Sequence, residues 1–153
     1  VRGERWASWL VERLREAGMS VRESTPAEHD QAMAVVQALL HSLYVAFCRT
    51  MSGAGMDPAR ALDWASPTLR LQLGLAARIL SQDPGLYAGL VVGNPWAPAL
   101  LEGLAASLTE LAALARAGDE AGFVAAFTRA HQSFGDLAPE LSERAEAALE
   151  RFS

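Results

Sequence analysis

Four polar side chains recur along one otherwise apolar stretch of the sequence, namely Asp30, Gln37, His41 and Tyr44. At about 100° per residue they fall within a narrow sector of an α-helix. Such a stripe either faces solvent or, where the surrounding apolar faces are covered by protein, must meet protein groups or a ligand. If a ligand binds there, the imidazole of His41 is the candidate acid or base.

Two arginines lie on one stripe of a second predicted helix, with a glycine between them. Arg70, Gly74 and Arg78 follow one another at intervals of four residues, which places them on one helix face. A glycine inside a helix costs up to about 1 kcal/mol relative to alanine, and one reason to keep it is the close approach of another group. Because a guanidinium is a planar fork of donors, the pair suits a carboxylate. Two surface arginines beside a helix–helix contact at Gly74 are an equally compatible interpretation.

The composition argues against several classes of site and partner. The three histidines, His29, His41 and His131, and the single cysteine, Cys48, have no zinc-binding spacing, and no glycine-rich nucleotide loop is found. All 13 basic residues are arginine, against 18 acidic residues, which gives a net charge of −5 and disfavours nucleic acid as a partner. We therefore expect no metal and no cofactor site in this chain. A lone thiol favours a cytoplasmic protein.

The beginning of the chain predicts a helix followed by a strand. Glu4–Ala17 has the spacing of an amphipathic helix that Gly18 ends. Met19–Glu23 alternates like a short strand. Because a lone strand needs a partner, this helix and strand predict the end of another domain, and we place the boundary between residues 1–24 and residues 25–153.

After residue 24 the sequence predicts helices only. Each start pairs a small polar cap with a proline: Thr25-Pro26, Asp57-Pro58, Ser66-Pro67, Asp83-Pro84 and Asn94-Pro95. The first helix should run to about Met51, and its most apolar part, Ala32–Cys48, carries enough polar residues to be a core helix rather than a membrane span. A leucine seam from Leu101 and a last region kinked between Gly135 and Pro139 complete an all-α bundle of five or six helices.

Several segments, in order and at matching spacing, resemble the C-terminal domain of prephenate dehydrogenases. They are Glu28–His41, with a His-Asp pair, a Met-Ala and a second histidine twelve residues after the first; Ser66–Leu71 and Ala77–Leu80, with both arginines; Gln82–Tyr87; and, in the closing region, Phe123–Phe127 and His131–Asp136. The resemblance covers Thr25 to about Phe152. Glu4–Ser24 is similar to the last helix and strand of the family's preceding, Rossmann-type domain.

This resemblance implies a reaction and a site. These enzymes oxidise prephenate or arogenate with NAD or NADP on the way to tyrosine, and their helical domain interlocks two subunits and closes the substrate cleft. By resemblance, Arg78 binds the ring carboxylate, Arg70 supports it, and Tyr87 lies near the same site. His41 lies in the pocket and is the candidate catalytic residue. With the polar stripe included, the candidate substrate-binding residues are Arg70, Arg78, His41, Tyr87, His29, Asp30 and Gln37.

The resemblance also implies what this chain should not do alone. In the family, the cofactor-binding loop and the histidine that polarises the substrate hydroxyl lie in the N-terminal domain. Because hydride transfer requires the cofactor to be held against the substrate, we expect this chain alone not to oxidise prephenate.

Our leading hypothesis is a helical dimerisation and substrate-binding domain behind a Rossmann-type helix–strand remnant. It would form an intertwined homodimer and bind a small cyclic dicarboxylate such as prephenate or arogenate. Two alternatives remain open. One is a free-standing descendant that catalyses an isomerisation, a decarboxylation or a pericyclic step on such an acid, and the other is a module that only binds it.

Overall fold

The computed structural model describes residues 2–152, and the side chains of residues 6–152. All regular structure in that range is helical, which confirms the predicted all-α class. The helices are α1 (Arg2–Glu16), α2 (Pro26–Met33), α3 (Leu40–Gly53), α4 (Pro58–Leu62), α5 (Pro67–Leu80), α6 (Pro84–Val92), α7 (Ala97–Ala117), α8 (Glu120–Gln132) and α9 (Ala138–Leu149). A π-helical segment, Ala34–Leu39, joins α2 to α3, and 3₁₀ turns lie at Gly135–Leu137 and Glu150–Phe152.

Hydrogen bonds at the helix starts confirm four of the five predicted caps. The helix predicted to start at Asn94-Pro95 begins instead at Ala97, without a side-chain cap. Thr25 Oγ1 accepts from the Glu28 amide at 3.2 Å, and the Glu28 carboxylate accepts from the Thr25 amide at 2.7 Å. Asp57, Ser66 and Asp83 likewise accept from amides two or three residues onward, each with a proline in the first turn. These bonds satisfy amides that have no partner within the helix. The amide and then the hydroxyl of Thr25 lower the pKa of Glu28 by stabilising its carboxylate.

The segment between α1 and α2 differs from the prediction. Met19–Glu23, predicted as a short strand, has no regular secondary structure. A strand needs a neighbouring strand for its backbone hydrogen bonds, and residues 2–152 supply none. The helix predicted before it is present as α1 and is followed by Gly18 at a φ of 79°.

α2, the π-helical segment and α3 form one continuous rod, Pro26–Gly53. The π-helical segment was not predicted, because its composition is that of an ordinary apolar helix. Its turns are wider than α-helical turns, so residues before and after it do not share the face that a single α-helix would give them. Asp30 and Gln37 line one cleft, whereas His41 lines another.

Small side chains let the rod approach its neighbours closely. The π-helical segment packs against α6 and α7. Ala34 and Ala38 on the rod, and Ala97 at the start of α7, are almost completely buried. Further along, α3 packs against α5 around Tyr44 and Ile79. No large side chain among the described residues is fully buried, so much of the apolar surface faces outward.

The accessible surface is larger than expected for a monomer. The chain exposes 11900 Å², whereas a globular monomer of 16.3 kDa exposes roughly 7500 Å². Exposed apolar side chains include Val36 on the rod, Phe127 on α8, and Trp6 and Trp9 on α1. An excess of this size is typical of a chain that folds against a further surface.

Two helices, the rod Pro26–Gly53 and α7, are long and apolar enough to cross a membrane on length and composition alone. The core helices of soluble proteins meet the same criterion. Here the two helices pack on each other through the π-helical segment, and Gln37 and His41 interrupt the rod with polar groups. The criterion is therefore weak support for a membrane protein.

Asn94, the single asparagine of the chain, connects the rod to α7. Its Nδ2 donates to the carbonyl of Asp30 at 2.7 Å, and its Oδ1 accepts from the amide of Trp96 at 2.9 Å. We call this pair of bonds the Asn94 bridge. One half-buried amide thus bonds to its own neighbour Trp96 and to Asp30, which lies 64 residues before Asn94 in the sequence.

We expect Asn94→Asp to lower the free energy of unfolding by about 1–3 kcal/mol. A carboxylate still accepts from the Trp96 amide, but it cannot donate to the Asp30 carbonyl and places a negative charge against it. Chemical denaturation followed by circular dichroism measures the change. Gln132→Glu, the same chemical change at an exposed position of α8, is the control. Equal stability of Asn94→Asp and wild type would show that the bond to Asp30 contributes nothing.

Candidate functional site

The main cleft lies between α3, the end of α5 and α6. It measures about 470 Å³, within the usual range of small-ligand sites. Its walls are mainly apolar, with Val45 from α3, Ile79 from α5 and Val91 from α6. The caps at Ser66 and Asp83 fix where α5 and α6 begin, and so place two of these walls.

His41 and Tyr87 meet at the main cleft. Their ring centroids are 4.5 Å apart with an interplanar angle of 75°, an edge-to-face contact. The Nδ1 atom of His41 is buried and has no hydrogen-bond partner among the described residues. Burial lowers the pKa of His41 because it disfavours the imidazolium. A neutral imidazole can donate or accept at this nitrogen, depending on its tautomer.

Tyr44, the fourth residue of the predicted polar stripe, is structural. Its hydroxyl donates to Oε1 of Gln72 at 3.0 Å, and its ring lies in the core cluster with Ile79. Cys48 and Tyr87 pack against this cluster. Tyr44 therefore fixes α3 to α5, two of the three helices that line the main cleft.

His29, Asp30 and Gln37 line a separate, more open cleft of about 190 Å³ beside Asn94. His29 Nδ1 lies 3.3 Å from Asp30 Oδ1, and both side chains are largely exposed. The structure does not bring these three residues to the main cleft. Their part in substrate binding stays a prediction.

Neither of the two predicted arginines lines the main cleft. Arg70 donates from Nη2 to the carbonyl of Leu62 at 3.2 Å, which joins the end of α4 to α5. The side chain of Arg78 is exposed. A Cβ atom at Gly74 would meet open space, so no described group makes the close approach that the glycine suggested. The carboxylate site at Arg70 and Arg78 stays a prediction.

Arg49 is a residue of the main cleft that the sequence analysis missed. It follows His41 and Val45 on α3 at four-residue intervals, and all three line the cleft. It carries the single formal charge among the lining side chains. The spacing from His41 was a usable signal, but Arg49 lies just beyond the apolar stretch in which polar residues stood out.

The main cleft thus combines apolar walls for a ring, an imidazole for a hydrogen bond or proton, and a guanidinium for an anion. The described residues contain no group of three or more His, Cys, Asp or Glu side chains placed to hold a metal ion.

Comparison with known proteins identifies relatives of this arrangement. The sequence model of a family described as "Prephenate dehydrogenase, dimerization domain" matches residues 25–129. The chain is 33% identical over 130 residues to a T-protein of Enterobacter agglomerans, covering 85% of this chain and 35% of that protein. It is 32% identical over 132 residues to a 4-amino-4-deoxyprephenate dehydrogenase of Streptomyces pristinaespiralis, covering 86% and 45%.

A third relative is more distant. The chain is 28% identical over 133 residues to a probable arogenate/prephenate dehydrogenase of Methanocaldococcus jannaschii, covering 87% of this chain and 30% of that protein. The chain therefore spans between 30% and 45% of the length of these three relatives.

The lowered pKa of His41 predicts a pH-dependent stability. His41 binds a proton less readily in the folded state than in the unfolded state. The folded state therefore has its full stability above the ordinary histidine pKa of about 6.5, and it loses stability as the pH falls from there toward the lowered pKa of His41 in the folded state. Between about pH 7 and pH 5.5 we expect the free energy of unfolding to fall more steeply for wild type than for His41→Phe.

His131→Phe, at an exposed position of α8, is the control and should keep the wild-type slope. Denaturation curves across the pH range measure the slopes. The same slope for wild type and His41→Phe would contradict the assignment of this pH dependence to His41.

Proposed function

This chain belongs to the prephenate dehydrogenase family, whose dimerization domain matches residues 25–129, and we propose that it is the substrate-binding and dimerising part of a dehydrogenase for a small cyclic dicarboxylate. The observation that carries the proposal is the buried, unpartnered Nδ1 of His41 against the ring of Tyr87 in an apolar cleft. A ring-shaped acid supplies an apolar face for the walls and polar atoms for that nitrogen.

The names of the relatives support the substrate class. One is named as a probable arogenate/prephenate dehydrogenase and another as a 4-amino-4-deoxyprephenate dehydrogenase. We therefore propose prephenate, arogenate or an amino analogue as the substrate. In the assembled enzyme, Arg78 binds the ring carboxylate with Arg70 in support, and His41 exchanges a hydrogen bond or a proton with the substrate.

The cofactor is proposed to bind outside this chain. Oxidation needs NAD or NADP held against the substrate, and the relatives have more than half of their length outside the matched region. We assign residues 1–24 to the end of a nucleotide-binding domain. The exposed Trp6 and Trp9 on α1, which contact each other edge-to-face, are an apolar face that such a domain would cover.

A second copy of the chain is proposed to cover the remaining apolar surface. The chain exposes 11900 Å² where roughly 7500 Å² is expected. A permanent dimer interface removes about 1000–2500 Å² or more from each partner, so a second copy covers part of this excess. Burial of the rod and α7 in such an interface also accounts for their apolar composition. The proposed assembly is a cytoplasmic homodimer.

The dimer predicts a mass of twice 16.3 kDa in sedimentation equilibrium. Val36, on the rod, is 57% exposed in the single chain, so Val36→Glu should leave the fold of each chain intact. In the dimer, however, the glutamate of Val36→Glu would place an unpaired charge in the buried interface. We therefore expect the dimer dissociation constant to rise by at least about tenfold.

Gln31→Glu, on an exposed position of the same rod, introduces the same charge outside the apolar stripe and serves as the control. A monomeric wild-type chain would refute the homodimer. A Val36→Glu protein with an unchanged dissociation constant would remove this face of the rod from the interface.

Substrate binding is tested by titrating the chain with prephenate in a calorimeter. We expect Arg78→Ala to weaken binding by about tenfold or more, because a charge-assisted hydrogen bond to a carboxylate is lost. Arg116→Ala, an exposed arginine in the last turn of α7, should bind like wild type. With NAD added, we expect no NADH absorbance.

Absence of any prephenate binding by the wild-type chain would refute the proposed function. Equal affinities for Arg78→Ala and wild type would remove Arg78 from the site. Formation of NADH by the pure chain would refute the placement of the cofactor outside it.

A further inference from the structure

We propose that Arg49 is a second carboxylate-binding residue, at the outer part of the main cleft, and that it selects ligands that carry an acidic group at that position. This inference rests on the proposed function for the nature of the ring. The anchor itself is inferred from the geometry and charge of α3, without use of the predicted arginines Arg70 and Arg78.

The position of Arg49 follows from helix geometry. Arg49 is eight residues after His41 on α3, a rise of about 12 Å along the axis. Side chains on an α-helix lean toward its N-terminus, so the long arginine side chain leans back toward Val45 and His41. This agrees with Arg49 lining the main cleft as well as the adjoining surface depression beside Ala46 and Thr50.

The charge of Arg49 is unmatched by any described residue. No Asp or Glu side chain lines the main cleft. Arg49 also makes none of the ion pairs or hydrogen bonds among the described side chains, whereas Arg129 and Arg144 each pair with a glutamate. Arg60 and Arg70 donate to backbone carbonyls. Arg49 is therefore an exposed guanidinium that lines an apolar cleft and is available to an anion.

The surroundings favour a ligand with two distinct ends. His41 offers one buried nitrogen without a partner, and Arg49 offers a planar fork suited to a carboxylate. Between them on α3 lies the apolar side chain of Val45, and Ile79 of α5 lines the same cleft. A molecule with a ring between a hydrogen-bonding group and a carboxylate matches this order.

The experiment compares two probes and three variants by calorimetry. Prephenate carries two carboxylates, and phenylpyruvate keeps the side-chain carboxylate alone on an aromatic ring. The variants are Arg49→Gln, which removes the charge, Arg49→Lys, which keeps the charge without the planar fork, and Arg116→Gln as the exposed control.

We expect Arg49→Gln to bind prephenate about tenfold or more weakly than wild type, Arg49→Lys to recover part of the loss, and Arg116→Gln to match wild type. The salt dependence of binding should also become shallower in Arg49→Gln, because one screened charge pair is lost. A role in folding alone would leave that salt dependence unchanged. Circular dichroism checks that the helices of each variant are intact.

The outcomes separate this inference from the proposed function. If wild type binds prephenate and Arg78→Ala binds it more weakly but Arg49→Gln binds it equally well, Arg49 is excluded from the site and the proposed function stands. If prephenate does not bind but phenylpyruvate binds in an Arg49-dependent way, the carboxylate anchor stands and the proposed substrate is wrong. If neither probe binds wild type, both are refuted.

Discussion

The packing of the rod Pro26–Gly53 against α5, α6 and α7 positions everything else in this chain. Alanines at the π-helical segment allow the helices to approach closely, and the hydrogen bond from Tyr44 to Gln72 holds α3 on α5. The main cleft is the space that remains between α3, α5 and α6. Its shape therefore depends on helix contacts rather than on loops, and a site built on helices is held more precisely than one built on loops.

Local helix chemistry could be predicted from the sequence because its causes are local. A cap such as Thr25 and the proline after it act within one turn, and the structure confirms four such starts. Met19–Glu23 has the alternation of a strand, but strand formation depends on a partner that these residues do not carry. The π-helical segment has no local signature either, since its composition is that of an ordinary apolar helix.

The candidate site could be predicted only in part for the same reason. His41 was predicted from the polar stripe and from the resemblance, and Tyr87 from the resemblance alone; the structure brings their rings together. The stripe that joined His41 to Asp30 assumed one uniform helix, and the π-helical segment divides it. The bond from Arg70 to the Leu62 carbonyl depends on the path of the chain between α4 and α5, which no spacing rule gives. A polar pattern in the sequence thus identifies candidate site residues better than it predicts which of them contact one another.

The Asn94 bridge has a consequence for the chemical ageing of the protein. Asparagine converts spontaneously to aspartate when the backbone nitrogen of the next residue attacks the side-chain amide and closes a cyclic imide. Here the next residue is Pro95, whose nitrogen carries no hydrogen and is already closed into a ring. The usual deamidation route is therefore blocked at the one asparagine whose side-chain amide joins the rod to the start of α7.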